Sequence, residues 1–274
     1  MSVTQSEFNT FRQFLEEKSG IVLGDNKLYL VTSRLNKLME EQGIKTLSEL
    51  MERMQAQPRG NLQALVVDAM TTNETLWFRD SYPFKVMKEK VLPELLDKRP
   101  YPSLRIWSAA CSSGQEPYSL AMTLDEYERT QLGHKINAQI IGTDLSPSML
   151  EVCKQGEYDS LAMARGLSDE RLQRYFSKTA TGRWVINDDI KKRVEFRLLN
   201  LLSSYAGLGK FDVVFCRNVL IYFSAETKKD ILTRIHATLK PGGYLFLGAS
   251  EALNELPELY QMVQCRPGII YQAR

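Results

Sequence analysis

The sequence predicts an α/β protein: a doubly wound, mostly parallel sheet, preceded by a small all-α domain and interrupted by a small inserted β subdomain. Three observations predict it. Apolar residues keep helical spacing, with no strand-like alternation, through the first 70 residues. After Pro100, short β-rich runs alternate with helical patterns, which is how strands joined by crossover helices read. Residues 157–193 break that alternation with a helix at about 168–176 and a hairpin pattern around Thr181 and Gly182. The expected organisation is a helical domain over 1–72, a linker and helix over 73–98, and an α/β domain over 99–274 that carries the insertion.

The elements follow in order. Thr4 and Glu7 have the spacing of a capping box, and Phe8, Phe11 and Leu15 then recur at helical intervals, so a helix is expected over 5–18. Thr46 and Glu49 repeat the pattern ahead of a helix over 46–56, and further helices are expected over 27–41 and 59–70. Within 27–41, Leu28, Val31, Leu35 and Leu38 form an apolar stripe. Lys27, Arg34 and Lys37 fall on an adjacent arc. That arc is either the solvated flank of a core-packed helix or a docking face for an acidic partner; Glu41 on the same arc counts against the second. Residues 71–80 form a poor helix and read as a linker. Residues 81–98 regain helical spacing, with Pro93 expected to kink or divide the helix. Strands are then expected at 104–108, 139–143, 194–198, 211–216 and 244–248, with helices at 117–128, 147–154 and 225–239. Right-handed crossovers put the carboxyl ends of such strands, and any ligand, along one edge of the sheet.

Composition narrows the function. The 274 residues suffice for one large domain or two modest ones. With 35 basic and 33 acidic residues the net charge is +2, so no nucleic-acid partner is expected. The apolar runs are far shorter than the roughly 20 residues that span a bilayer, and the N-terminus lacks the basic start and apolar stretch of a signal peptide. No membrane insertion and a cytoplasmic location are therefore expected. Cys111, Cys153, Cys216 and Cys265 lie far apart without a CxxC, which suits reduced thiols. His134 and His236 are the only histidines, so no metal site and no histidine triad are expected. Both read as structural, and Cys111 reads as a small packing residue.

Candidate ligand residues cluster at the strand ends. The first strand, LRIWS, enters a turn of Ala109, Ala110, Ser112, Ser113 and Gly114. Small side chains there admit a ligand to the backbone, and a helix N-terminus follows, although many strand–helix turns are equally small. The chain has no GxGxxG and no GxxxxGK[ST], which argues against a dinucleotide oxidoreductase and a P-loop NTPase. The second strand ends in Asp144, whose carboxylate can take both hydroxyls of a ribose or cap the next helix. Asn200, with Leu201 and Leu202, can read the edge and cover the face of an adenine, or simply turn the chain. The buried run FDVVFC opens into Arg217 and Asn218, and Tyr222 follows one turn later. Lys240-Pro241-Gly242-Gly243 reads as a structural turn.

Together these segments resemble the nucleoside-binding side of the Rossmann-like class I S-adenosylmethionine methyltransferases. TTNETLWFR (71–79), CSSGQEPYS (111–119), GTDLS (142–146), FCRNVLIYF (215–223) and LKPGGYLFLG (239–248) narrow the resemblance to the CheR family of chemotaxis receptor methyltransferases, over nearly the whole chain. The resemblance implies S-adenosylmethionine-dependent O-methylation of glutamate side chains on the cytoplasmic helices of chemoreceptors. The products would be glutamate methyl esters and S-adenosylhomocysteine. It implies cofactor contacts from Asn73, Thr75, Arg79, Ala109, Gly114, Glu116, Asp144, Asn200, Leu201, Arg217 and Asn218. It sets Arg79 and Tyr222 nearest the transferred methyl group and gives Lys27, Arg34 and Lys37 a receptor-docking role. A monomer is expected. The stretch from Phe176 to Val194 is short, so capture of a C-terminal receptor pentapeptide is expected to be weak or absent. A different methyl acceptor, or a non-catalytic module that senses the cofactor, are the alternatives.

Overall fold

Capping chemistry starts the first helix of this computed structural model, which describes residues 3–57, 60–97, 103–131, 135–253, 256–266 and 268–274. Thr4 Oγ1 accepts the Glu7 N–H at 3.3 Å, and the Glu7 carboxylate accepts the Thr4 N–H at 2.8 Å. Both bonds satisfy groups that the first turn leaves open. Helix α1 (Gln5–Ser19) then runs to Gly20, which closes it at φ 76°. Ser48 also donates to Glu7, and this bond, with those from Thr4, holds the Glu7 carboxyl down at about 2. Helix α2 (Leu28–Glu41) follows a 3-10 turn at Asp25–Lys27, so Lys27 precedes the helix it was expected to begin. Val31, Leu35, Leu38 and Met39 are its buried face. Thr46 caps α3 (Leu47–Ala56) through the Glu49 N–H. Helix α4 is Leu62–Met70; the expected start at Arg59 lies outside the described residues.

The chain divides into two compact units, Met1–Thr72 with Tyr222–Lys228, and Asn73–Ile221 with Lys229–Arg274. The second unit begins with α5 (Tyr82–Val86), which passes through a π turn at Met87–Val91 into α6 (Leu92–Asp97). Near Pro93 the α-helix is thus interrupted by a π turn rather than by a break in the chain. The widened turn, in which the Leu92 N–H reaches Met87 O, makes room for a residue with no N–H to give.

The sheet is built from β1 (Ser103–Ala109), β2 (Asn137–Asp144), β6 (Val194–Leu198), β7 (Phe211–Cys216), β8 (Leu239–Leu247), β9 (Tyr260–Cys265) and β10 (Gly268–Ala273). Among the described residues its order is β6-β2-β1-β7-β8-β10-β9. The first five in that order are parallel, and β10 and β9 are antiparallel to their neighbours. Helices α7 (Gln115–Thr130), α8 (Pro147–Gln155) and α12 (Ala225–Thr238) connect the parallel strands. Every residue of β7 is buried, as a strand covered on both faces requires. Phe215 stacks on Phe246 at 4.3 Å, and Trp107 stacks on Phe211 at 5.6 Å while donating to Thr143 Oγ1. The insertion holds a three-stranded sheet, order β3-β5-β4, made of β3 (Glu157–Tyr158), β4 (Phe176–Lys178) and β5 (Trp184–Ile186). Short helices α9 (Ser160–Met163), α10 (Asp169–Tyr175) and α11 (Asp188–Lys191) complete it.

Two strand expectations change. β8 begins at Leu239 rather than Tyr244, because the pairing with β7 shifts register between Phe211 and Val213 and absorbs the Gly242-Gly243 step. Lys240 keeps its structural role within the strand: its ammonium meets the buried Asp212 carboxylate at 2.7 Å. The hairpin β9–β10 was not expected. YQMVQC gives no clean alternation of buried and exposed residues, as its burial at a sheet edge shows: Tyr260 is buried while Met262 is exposed.

Candidate active site

Strand register decides which residues meet at the edge. Ala109 pairs with both Thr143 and Cys216, Cys216 pairs with Leu247, and Asp144 pairs with Leu198. The residues that follow these ends therefore line one edge, around the β1/β7 boundary where the chain order reverses.

That edge is where the backbone departs from ordinary conformations. Among the described residues, the non-glycine residues with positive φ are Phe78, Asp80, Ser81, Ala110, Ser112 and Asn218. They belong to three segments: 78–81, the turn after β1, and the residue pair after β7. Each such residue costs about 1–3 kcal/mol, so strong local bonds must hold it. The bonds are present, and they are charge-assisted. Ser112 donates its N–H to Asp144 Oδ2 at 2.7 Å. Arg217 Nη2 donates to the Arg79 carbonyl at 2.9 Å and to Asp80 Oδ2 at 2.7 Å. The Asn218 N–H reaches Glu251 Oε2 at 2.7 Å. Each of the three segments receives at least one such bond, and a bond of this kind contributes about 1.5–3 kcal/mol, the same order as the strain of one such residue.

Two connected groups result. In the first, Asp144 accepts from Ser112 and from the Ser146 N–H at 2.9 Å, and Ser112 Oγ donates to the Asn73 carbonyl at 2.8 Å. Asn73 and Asp144 thus flank the turn that carries Ala109 and Gly114. Gly114 sits at φ 93°, and a Cβ there would lie 3.0 Å from Cys153 Sγ, so the turn is closed to any other residue. In the second group, Arg217, whose side chain is 1% exposed, donates from Nη1 to Glu116 at 2.9 Å. Ser108 Oγ donates to the other Glu116 oxygen at 2.8 Å. Burial pushes the Glu116 carboxyl above its ordinary value, against the pull of Arg217 and Ser108.

The other expected residues take simpler places. Asn200 Oδ1 accepts the Leu202 N–H at 2.9 Å, which forms the turn that holds the buried Leu201. Thr75 and Arg79 are half-buried, and Arg79 Nη1 donates to the Glu74 carbonyl at 3.1 Å. Cys111 packs with Leu150, Cys153 and Phe196, and burial raises its thiol, so it serves packing. His236 lies edge-on to Tyr260 in α12, and His134 lies outside the described residues.

Within the helical unit, Tyr222 is half-buried and its carbonyl accepts the Val22 N–H at 2.9 Å. The basic arc is not three equivalent cations. Arg34 donates to the Met70 and Thr71 carbonyls at 2.6 and 3.0 Å and to Thr72 Oγ1 at 3.0 Å, so it caps the end of α4. Lys27 lies over the Tyr29 ring, and Lys37 is exposed beside Glu41 at 3.9 Å.

Asp80, Ser108 and Glu251 escaped the sequence reading. Glu251 carried a usable signal, because it is an acid four residues past the end of the buried β8, close to the strand ends where Asp144 also lies. Asp80 carried none beyond adjacency to Arg79. Among the described residues no group of His, Cys, Asp and Glu side chains could hold a metal, and no helix is long and apolar enough to cross a membrane.

The residues suit the nucleoside cofactor that the resemblance implies. Among the described residues, Asn218 Oδ1 is a buried acceptor with no partner, and it stands at the strand-end edge. The left-handed turn before α7 and the Asp144 carboxylate stand at the same edge.

Comparison with known proteins agrees. Residues 6–71 match the model for the all-alpha domain of CheR methyltransferases, and residues 73–269 match the model for their SAM-binding domain. The chain is 69% identical over 275 residues to the chemotaxis protein methyltransferase Cher2 of Pseudomonas putida, with all of both chains covered. It is 50% identical to chemotaxis protein methyltransferase 1 of Vibrio cholerae, covering all of this chain and 99% of that one. The solved N-methyltransferase NodS of Bradyrhizobium japonicum, in complex with S-adenosylhomocysteine, aligns at TM-score 0.38 and 16% identity over 72% of this chain and 89% of that one. The chain belongs to the CheR family of S-adenosylmethionine-dependent chemotaxis methyltransferases.

Proposed function

We propose that the protein methylates glutamate side chains on the cytoplasmic helices of chemoreceptors, forming methyl esters and S-adenosylhomocysteine. The observation that carries this reading is Arg79. It is a half-buried guanidinium at the ligand edge, its backbone is held by Arg217, and its side chain bonds only to a carbonyl among the described residues. Its remaining donors suit an incoming carboxylate, which a guanidinium binds through paired hydrogen bonds.

Bound S-adenosylmethionine supplies a methyl group on a cationic sulfonium, which becomes a neutral thioether on transfer. The protein's task is then alignment. A glutamate carboxylate, with an ordinary pKa of about 4.3, is already ionised at neutral pH and needs no general base. Holding it in line can supply roughly 7–11 kcal/mol of the barrier. Arg79 orients the carboxylate, Asp144 and the turn after β1 hold the ribose, and Asn200 with Leu201 holds the adenine. Tyr222 shapes the surroundings of the methyl group, as the resemblance implies.

The test is transfer from methyl-labelled S-adenosylmethionine to receptor-containing membranes, followed by mild alkali. Ester label is released as volatile methanol, whereas amine or ring label is not. Alkali-stable label, or cofactor binding without transfer, overturns the glutamate reading. In the same assay Arg79→Ala is expected to lower transfer at least a hundredfold; near-full activity with unchanged cofactor affinity removes Arg79 from the mechanism. The three-stranded inserted sheet has strands of only two or three residues, which supports weak or absent receptor-pentapeptide capture. Micromolar binding of such a peptide by calorimetry overturns that part.

A further inference from the structure

Glu251 lies just beyond β8 and has no place among the residues that the resemblance assigns to the cofactor. Its carboxylate nevertheless gathers three backbone N–H groups. Oε2 accepts from Asn218 at 2.7 Å and from Gly248 at 2.7 Å, and Oε1 accepts from Leu220 at 2.8 Å. The Glu251 N–H closes back onto the Gly248 carbonyl at 2.9 Å, so the carboxylate is itself held by a tight turn. The packing leaves no slack. A Cβ on Gly248 would lie 2.7 Å from Glu251 Oε2 and 2.8 Å from Asn218 Nδ2.

The residue so held is strained and has an unused acceptor. Asn218 has φ 59°, and its Oδ1 is buried without a hydrogen-bond partner among the described residues. The preceding Arg217 is anchored through its side chain to Glu116 and Asp80. The segment 217–220 is therefore fixed by side chain on one side and by backbone on the other. Without the Glu251 carboxylate, the N–H groups of Asn218, Leu220 and Gly248 would lose their acceptor, and the left-handed Asn218 would lose a bond that holds it.

We infer that Glu251 is a positioning residue for methyl transfer: it holds the backbone of Asn218 and Leu220 so that the Asn218 amide stays presented to the cofactor. This rests on the reading of Asn218 as a cofactor contact. A carboxylate is required because an amide has one acceptor oxygen, and its NH₂ would face a backbone N–H.

The experiment compares Glu251→Gln, Glu251→Asp and Asn218→Ala with the unsubstituted protein. The readouts are S-adenosylmethionine affinity by calorimetry, kcat and KM, and backbone hydrogen exchange. Glu251→Gln is expected to weaken cofactor binding about tenfold, the equivalent of one lost charge-assisted bond. Exchange should quicken at 218–220 and stay unchanged in β1. Glu251→Asp keeps the charge and is expected to recover part of the affinity. Quickened exchange with unchanged cofactor affinity and kcat/KM overturns the inference. If Asn218→Ala weakens binding and Glu251→Gln does not, Glu251 alone loses its role. If Asn218→Ala binds normally, the underlying reading of Asn218 fails and the inference falls with it. Should Glu251→Gln not fold, Glu251→Asp carries the test: it keeps the charge and withdraws it by one methylene. It is expected to bind cofactor more weakly than the unsubstituted protein while exchange quickens at 218–220; unchanged affinity with quickened exchange overturns the inference.

Discussion

Helix α7 carries a buried carboxylate near each end, each clasped by an arginine, and the two respond oppositely to their surroundings. The helix dipole favours a carboxylate at the N-terminus and opposes one at the C-terminus. Glu116, in the first turn, is nonetheless raised, and Glu128, near the last turn, is lowered. Burial raises both, and their partners also differ. Glu128 receives two bonds from Arg193, at 3.0 and 2.8 Å, one from the Ile136 N–H at 2.9 Å, and the Lys135 ammonium at 3.2 Å. Those bonds outweigh its burial. Glu116 receives one bond from Ser108 and one from an arginine that it shares with Asp80 and the Arg79 carbonyl, and the negative Glu251 adds repulsion. The far end of the helix is saturated. The site end gives its carboxylate fewer hydrogen bonds.

The largest expected effect tests the saturated end. Glu128→Gln leaves the half-buried Arg193 without its hydrogen-bonded carboxylate and is expected to cost about 3 kcal/mol. For a chain of this size that lowers the melting temperature by several degrees. Cofactor affinity of the folded protein should not change; a loss of affinity would show that the two ends are coupled. The same variant has a signature in pH. A carboxyl lowered in the folded state contributes stability above its usual value of 4.5 and loses it as pH falls through the lowered value. Wild-type stability is therefore expected to fall below pH 4.5 more steeply than that of Glu128→Gln, as followed by denaturant melts across pH.

The smaller stability effect belongs to the site end. A raised carboxyl has the opposite sign: its stabilising contribution is present below 4.5 and lost as pH rises through the raised value. Ionised Glu116 thus costs stability at neutral pH. Glu116→Gln, which can keep both hydrogen bonds, is expected to change stability by about 1 kcal/mol or less. It is expected to weaken cofactor binding about tenfold in calorimetry. A large drop in melting temperature with unchanged affinity would place Glu116 with the structural pairs and dissolve the contrast.

Much of the helical unit was legible because its signals are local. Thr4 with Glu7 and Thr46 with Glu49 act within one turn, and the stripe of Val31, Leu35 and Leu38 follows from spacing alone. The parallel strands were legible for the same reason, as uninterrupted apolar runs such as Phe211–Cys216. Pro93 signalled an interruption of the helix but not its form, because the π turn at Met87–Val91 depends on backbone adjustment that residue type does not encode. The β9–β10 hairpin was missed because an edge strand with one covered face has a weak pattern.

At the site, residue type and strand position located Asp144, Arg217 and Asn218 but left their tasks open. Arg34 shows the limit most plainly. On helical spacing it stands with Lys27 and Lys37, yet its guanidinium is spent on carbonyls some 36 positions away. The sequence by itself determined the class of fold, the order of its elements and the edge where a ligand belongs, since periodicity and crossover handedness are properties of the local chain. Only the tertiary structure decided how each charge is compensated. That depends on partners such as Glu116 with Arg217, or Asn218 with Glu251, which lie 101 and 33 positions apart and meet only when the strand ends come into register.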